Sequence, residues 1–221
     1  MSARLVFLLI EEFMSIQQLL RGVDSISSWV GKAFAWLIVA LMLLVVVEVF
    51  KRYALNAPTA WVFDASNMLY GTLFMMGGAY TLAQGGHVRG DFFYGSMAPR
   101  KQASIDLVLF ILFFLPGVAA LTWSGYDYFK DSLAIREQTF NADPLPLYPF
   151  KFMIPLAGAL VLLQGVAEIV RCAICIRTGE WPERLRDAEE SDVVAQQLAN
   201  SEFVDEEARR LAIEQSKGLK S

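Results

Sequence analysis

Histidine and cysteine are nearly missing from this chain. It has one histidine, His87, and two cysteines, Cys172 and Cys175, in 221 residues. Two cysteines cannot build a disulfide framework, and one histidine leaves too few ligands for a haem or most buried metal sites. The C-x-x-C spacing of Cys172 and Cys175 would need two further metal ligands, so two apolar-facing thiols are the expected reading. A Gly-rich phosphate loop, a nucleophile elbow and a metalloprotease motif are also lacking. No catalytic residue, metal ligand or cofactor is therefore assigned, and an integral-membrane enzyme has no chemistry to stand on. Charge is scarce: 19% of residues are charged against 55% hydrophobic, with a mean hydropathy of +0.41. With a pI near 5.1 and no basic stripe, nothing favours nucleic acid. The acidic excess belongs to the tail. Residues 1–177 hold 13 basic and 12 acidic side chains (net +1), whereas residues 178–221 hold 6 and 11 (net −5). The apolar run Leu5 to Ile10 is too short for a secretory signal, and Glu11 and Glu12 follow it, so no cleaved leader is expected.

What the chain does have is long apolar runs. About 20 helical residues rising about 1.5 Å each match a hydrocarbon core of about 30 Å. Four stretches meet that length: residues 29–53, 61–84, 104–126 and 150–176. Helices are the economical solution, because backbone amides in lipid must pair internally. The expected fold is all-α integral membrane, with four transmembrane helices, an N-terminal interfacial amphipathic helix and a C-terminal cytoplasmic helical tail. The corresponding divisions are 1–28, 29–176 and 177–221. Pro116 and Pro155 fall inside the third and fourth spans, where a modest kink is expected. Asn56-Ala57-Pro58-Thr59 is turn chemistry and predicts a tight first loop; the third loop, about Asp127 to Tyr148, is the longest.

Basic residues set the orientation. Arg4, Arg21, Lys32, Arg89, Arg100, Lys101, Arg171, Arg177, Arg184 and Arg186 share one side of a four-span topology. Lys51, Arg52, Lys130, Arg136 and Lys151 share the other. Ten against five places both termini in the cytoplasm of a multi-pass protein. Residues 5–20 carry apolar side chains broken by Glu11, Glu12 and Gln17, which suits a helix lying in the lipid interface.

Ionisable groups inside spans are costly, so their placement carries information. Glu48 and Arg52 are four apart in the favourable helical order, near the end of the first span. They read either as a local pair or as a pair in which one member reaches a neighbouring helix or subunit. Asp64 and Asn67 lie at the start of the second span, within reach of Arg52, so an Arg52–Asp64 contact is expected. The span middles read as Leu, Phe, Met, Ala and Gly, which argues against a translocation path built from this polypeptide alone. Gly71 and Gly78, and likewise Gly158 and Gly165, are seven apart and lie on one helical face each, where a neighbouring helix could approach closely. The Gln84 to Asp91 segment alternates His87, Arg89 and Asp91 after a glycine pair, and reads as a helix end with an interface anchor.

Glu48-Val49-Phe50-Lys51-Arg52-Tyr53, Asn56-Ala57-Pro58, Trp61, Asp64 and Gly86-His87-Val88-Arg89-Gly90-Asp91 together resemble the small membrane subunit, the Q subunit, of tripartite ATP-independent periplasmic (TRAP) transporters. The resemblance implies a bacterial inner-membrane protein that partners a large membrane subunit and a periplasmic solute-binding protein. In such a transporter the large subunit holds the sodium and substrate sites, and the small one braces it during sodium-coupled uptake of organic acids. By position in the pattern, Arg52, Tyr53, Trp61, Asp64, His87, Arg89 and Asp91 become structural or interface residues, with no substrate ligand among them. A self-sufficient small carrier or channel is the competing reading.

Overall fold

The computed structural model describes residues 3–85 and 97–182, with side chains described from residue 16 onward. The segment His87 to Asp91 and the tail beyond Pro182 lie outside these residues. Six α-helices make up the described chain: α1 (Ala3–Ala35), α2 (Leu37–Ala54), α3 (Val62–Ala83), α4 (Pro99–Leu109), α5 (Leu115–Ala134) and α6 (Tyr148–Thr178). A π-helical turn, Phe110–Phe114, joins α4 to α5. Among the described residues three stretches are long and apolar enough to cross a membrane: Ile16–Ala54, Pro99–Ala134 and Tyr148–Thr178. The second expected span, residues 61–84, is α3, a 22-residue helix carrying Asp64, Ser66, Asn67, Thr72 and Thr81 among its apolar residues. It packs on α1, α2 and α6.

The last helix is the hub. Helix α6 meets α1, α3, α4, the π turn and α5, whereas α2 rests mainly on α3. Small side chains bring these helices together, as close packing in lipid requires. Gly158 of α6 faces Thr122 of α5, where an added Cβ would lie 3.3 Å from the Thr122 Cα. Gly165 faces the Phe114 ring, Gly125 faces Ile154, and Gly31 of α1 faces Tyr80 of α3. At one end of the bundle Ala103 of α4 and Cys172 and Cys175 of α6 form a buried cluster under Leu107, Phe110, Ile176 and Trp181.

Local chemistry explains the helix ends. Helices α1 and α2 are separated only by Trp36, whose amide still reaches the Ala33 carbonyl at 3.4 Å. Helix α2 ends on Asn56 in the left-handed conformation (φ 49°), and the Ala57 amide turns back to the Lys51 carbonyl. Pro116 cannot donate to the helical ladder and crowds the turn before it, and the π-helical turn directly precedes it. The third loop is shorter than its sequence suggests, because α5 continues past Asp127 to Ala134. Phe129 packs on Phe152 with ring centroids 5.1 Å apart, and Lys130 lies 3.9 Å from Asp127, so this polar stretch keeps a helical face on α6. The connection is residues 135–147. It opens with Arg136 in the left-handed region and paired returns, Arg136 N–H to Leu133 and Glu137 N–H to Ser132, which satisfy the last carbonyls of α5.

Candidate functional site

Two polar constellations stand out, one inside the bundle and one at the end formed by residues 55–61 and 135–147. The inner one arises because two helices each place polar side chains along one face. Asp24, Ser27 and Ser28 are three and four apart on α1, and Gln164, Glu168 and Arg171 are four and three apart on α6. All six are buried. The Ser27 hydroxyl donates to Gln164 Oε1 at 2.9 Å, and Gln164 Nε2 donates to Asp24 Oδ1 at 2.8 Å. The two terminal nitrogens of Arg171 donate separately, one to Glu168 and one to Asp24 Oδ2.

This arrangement corrects the expectation that the span middles hold only apolar side chains. Gln164 sits at the midpoint of α6 with no exposed surface. Each of its amide atoms is engaged with α1, so the group is used for holding two helices and its hydrogen-bonding capacity is turned inward. The Ser28 hydroxyl and Arg171 Nε have no hydrogen-bond partner among the described residues. Among those residues no group of three or more His, Cys, Asp or Glu side chains is placed to hold a metal ion.

At the loop end, Glu48 is buried near the close of α2 and accepts from the Thr59 amide at 3.1 Å and from Arg52 at 3.1 Å. Lys51 donates to the Thr59 hydroxyl, so one turn of α2 grips the first loop from both sides. The expected Arg52–Asp64 contact is not formed. Arg52 turns back along its own helix to Glu48, and Asp64 instead accepts from Asn141 of the third loop. The reason is geometric: Glu48 lies one helical turn from Arg52, and the loop tip reaches the start of α3 first. Lys151 pairs with Glu137 and sits 3.8 Å above the Tyr128 ring. The Lys151 hydrogen bond holds the Glu137 carboxyl below the ordinary carboxylate range.

The remaining sequence-marked residues fall as follows. Tyr53 and Asn67 are exposed. Trp61 lines an open recess with Asp143, Pro144 and Leu145. Gly71 and Gly78 of α3 look onto α6, where an added Cβ would lie 2.8 Å from Phe150 Cζ and 3.5 Å from Val161 Cγ2, so both glycine faces are occupied within the chain. His87, Arg89 and Asp91 lie outside the described residues. Sequence reasoning passed over Asp24, Ser27, Gln164, Glu137 and Asn141. The spacing of the polar faces on α1 and α6 was a usable signal for the first three.

Outward, the helices present apolar surface. Ile38, Val46 and Phe50 on α2 and Leu121 and Trp123 on α5 are exposed, which is the arrangement of surfaces made for lipid or for another membrane protein.

A family model described as tripartite ATP-independent periplasmic transporters, DctQ component, matches residues 41–174. Among curated proteins none matches the chain.

Proposed function

The chain belongs to the DctQ component family of tripartite ATP-independent periplasmic transporters, and on that premise we propose that it braces the large membrane subunit of such a transporter. The cargo is an organic acid, delivered by a periplasmic solute-binding protein and taken up with sodium. In this reading α3 is a fourth crossing, both termini are cytoplasmic, and the protein lies in the bacterial inner membrane. Residues 1–28 begin in the cytoplasmic interface and enter the bundle where Leu20 and Asp24 become buried, and residues 177–221 form a cytoplasmic tail.

The observation that carries this reading is the direction in which polar groups point. Gln164 and Asp24, both without exposed surface, are hydrogen-bonded to each other across α1 and α6, while α2 and α5 turn apolar side chains outward. A carrier needs polar groups free to exchange one partner for a solute. A brace needs rigid helices with sticky exteriors, and this chain is built that way. Glu48, Arg52 and Asp64 then act by fixing the loops at the periplasmic end.

Reconstitution tests the proposal. Proteoliposomes holding this chain alone should show no solute uptake, and those holding it with the large subunit and the binding protein should show sodium-dependent uptake. Uptake by this chain alone would overturn the assignment.

A further inference from the structure

The recess at the loop end has a chemistry of its own. It is open, about 360 Å³ in volume, and lined by Trp61, Asp143, Pro144 and Leu145. An indole, a carboxylate and two aliphatic walls are the complement of a long cationic side chain, whose methylenes need an apolar track and whose head needs an anion and a π face. The other nearby carboxylates are already engaged within the chain: Glu48 by Thr59 and Arg52, Asp64 by Asn141, and Glu137 by Lys151. Asp143 has no ion pair or hydrogen bond among the described residues, so its charge is available to an outside group.

The recess is also preformed. The loop that carries Asp143 is tied across its base by Thr139 N–H to the Leu145 carbonyl at 2.9 Å and Leu145 N–H to the Thr139 hydroxyl at 3.0 Å. It is tied to the rest of the molecule by Asn141 to Asp64 and by Lys151 to Glu137. Trp61 stands immediately before α3, so both walls are fixed to helix ends and little ordering remains for binding. All four lining residues belong to connections beyond the helices, which places the recess toward an aqueous partner.

We propose that this recess receives a lysine or arginine side chain from a protein that docks at this end of the bundle. This rests on the reading above, in which this end faces the periplasm and a periplasmic solute-binding protein delivers the cargo, and it takes that protein as the docking partner. The cation sits between the Trp61 face and the Asp143 carboxylate, and its stem lies along Pro144 and Leu145.

The test uses the complete transporter in nanodiscs and its cognate solute-binding protein, with the dissociation constant measured at low and at physiological salt. Asp143→Asn should weaken docking about 3- to 10-fold and reduce its salt dependence, the range expected for one rim ion pair together with a cation–π contact. Trp61→Leu should weaken docking similarly, and Trp61→Phe should recover part of the loss. Asp143→Lys should be rescued by an acidic substitution at one lysine or arginine of the binding protein and not by the same change elsewhere. Unchanged docking in Asp143→Asn, with wild-type complex still binding, overturns this inference and leaves the bracing role standing. Loss of co-purified phosphatidylethanolamine from Asp143→Asn with unchanged docking would place a lipid amine in the recess and overturn it as well. Failure of the wild-type complex to bind the protein at all would sink the docking reading together with the inference.

Discussion

Arg171 on α6 and Asp24 on α1 stand 147 positions apart in the sequence and form an ion pair in which each side chain is 1% exposed. The same guanidinium reaches Glu168 with its other terminal nitrogen. One planar cation thus ties a carboxylate of its own helix to one from the N-terminal helix, a task for which the fixed fork of arginine is suited and the single ammonium of lysine is not.

Removing that cation should be severe. Arg171→Ala leaves two buried carboxylates without their shared partner, and breaking a buried pair in this way costs about 3–5 kcal/mol. Arg171→Lys should lie between wild type and Ala, and Asp24→Asn should cost less than Arg171→Ala because Arg171 keeps Glu168. Thermal unfolding of the purified transporter complex gives the ranking. If Arg171→Ala unfolds with wild-type stability, the cluster does not hold α1 in place.

The glycines separate into two kinds. At Gly158 an added Cβ would lie 3.1 Å from Thr122 Cβ and 3.3 Å from its Cα, and the second of these atoms cannot retreat unless α5 shifts. Gly158→Ala should therefore destabilise by about 1–3 kcal/mol through overpacking. At Gly78 the nearest atom is Val161 Cγ2 at 3.5 Å, an ordinary contact, so Gly78→Ala should be neutral or stabilising by up to about 1 kcal/mol from helix propensity. Equal effects at both positions would remove the distinction.

Much of this was readable from residue order, and the part that was not has a common cause. Apolar runs gave the helices, and Asn56 to Thr59 gave the tight turn, because both depend on local chemistry. The Glu48–Arg52 pair has a spacing of four and is equally local. Asp24 was obscure because α1 reads as an amphipathic surface helix until Gln164 and Arg171, 140 and 147 positions later, are placed beside it. Asp64 was assigned to Arg52 by nearness in sequence, and a loop residue 77 positions away, Asn141, takes it instead. The extension of α5 past Asp127 was hidden by its polar composition, which becomes helical through Phe129 packing on Phe152.

Loop anchoring should depend more on Glu48 than on Asp64. Glu48 is buried and satisfies a backbone amide, Thr59 N–H, so Glu48→Ala strands that donor and should cost about 1–3 kcal/mol. The Asp64–Asn141 bond is more open to solvent, and Asp64→Ala should cost less than about 1 kcal/mol. Complex yield and unfolding temperature of the two variants decide the order, and a larger loss for Asp64 would restore weight to a role for it beyond the loop contact.

The third loop should loosen in acid, and Glu137 is the group responsible. Its carboxyl is held below the ordinary carboxylate range by the hydrogen bond from Lys151. With the native value depressed, the unfolded chain binds a proton that the folded loop does not. The contribution is therefore complete above the ordinary range and is lost as pH falls through that range toward the lowered native value. The reporters are the amides of Thr139, Leu145 and Leu147, which are hydrogen-bonded within the loop. Their exchange protection, corrected for the intrinsic rate at each pH, should be constant near neutrality and fall in acid, whereas Glu137→Gln should start lower and show little of that slope. Wild-type protection that stays flat through the carboxylate range, or a Glu137→Gln variant that keeps the full slope, would mean that the Lys151–Glu137 pair does not clamp the loop.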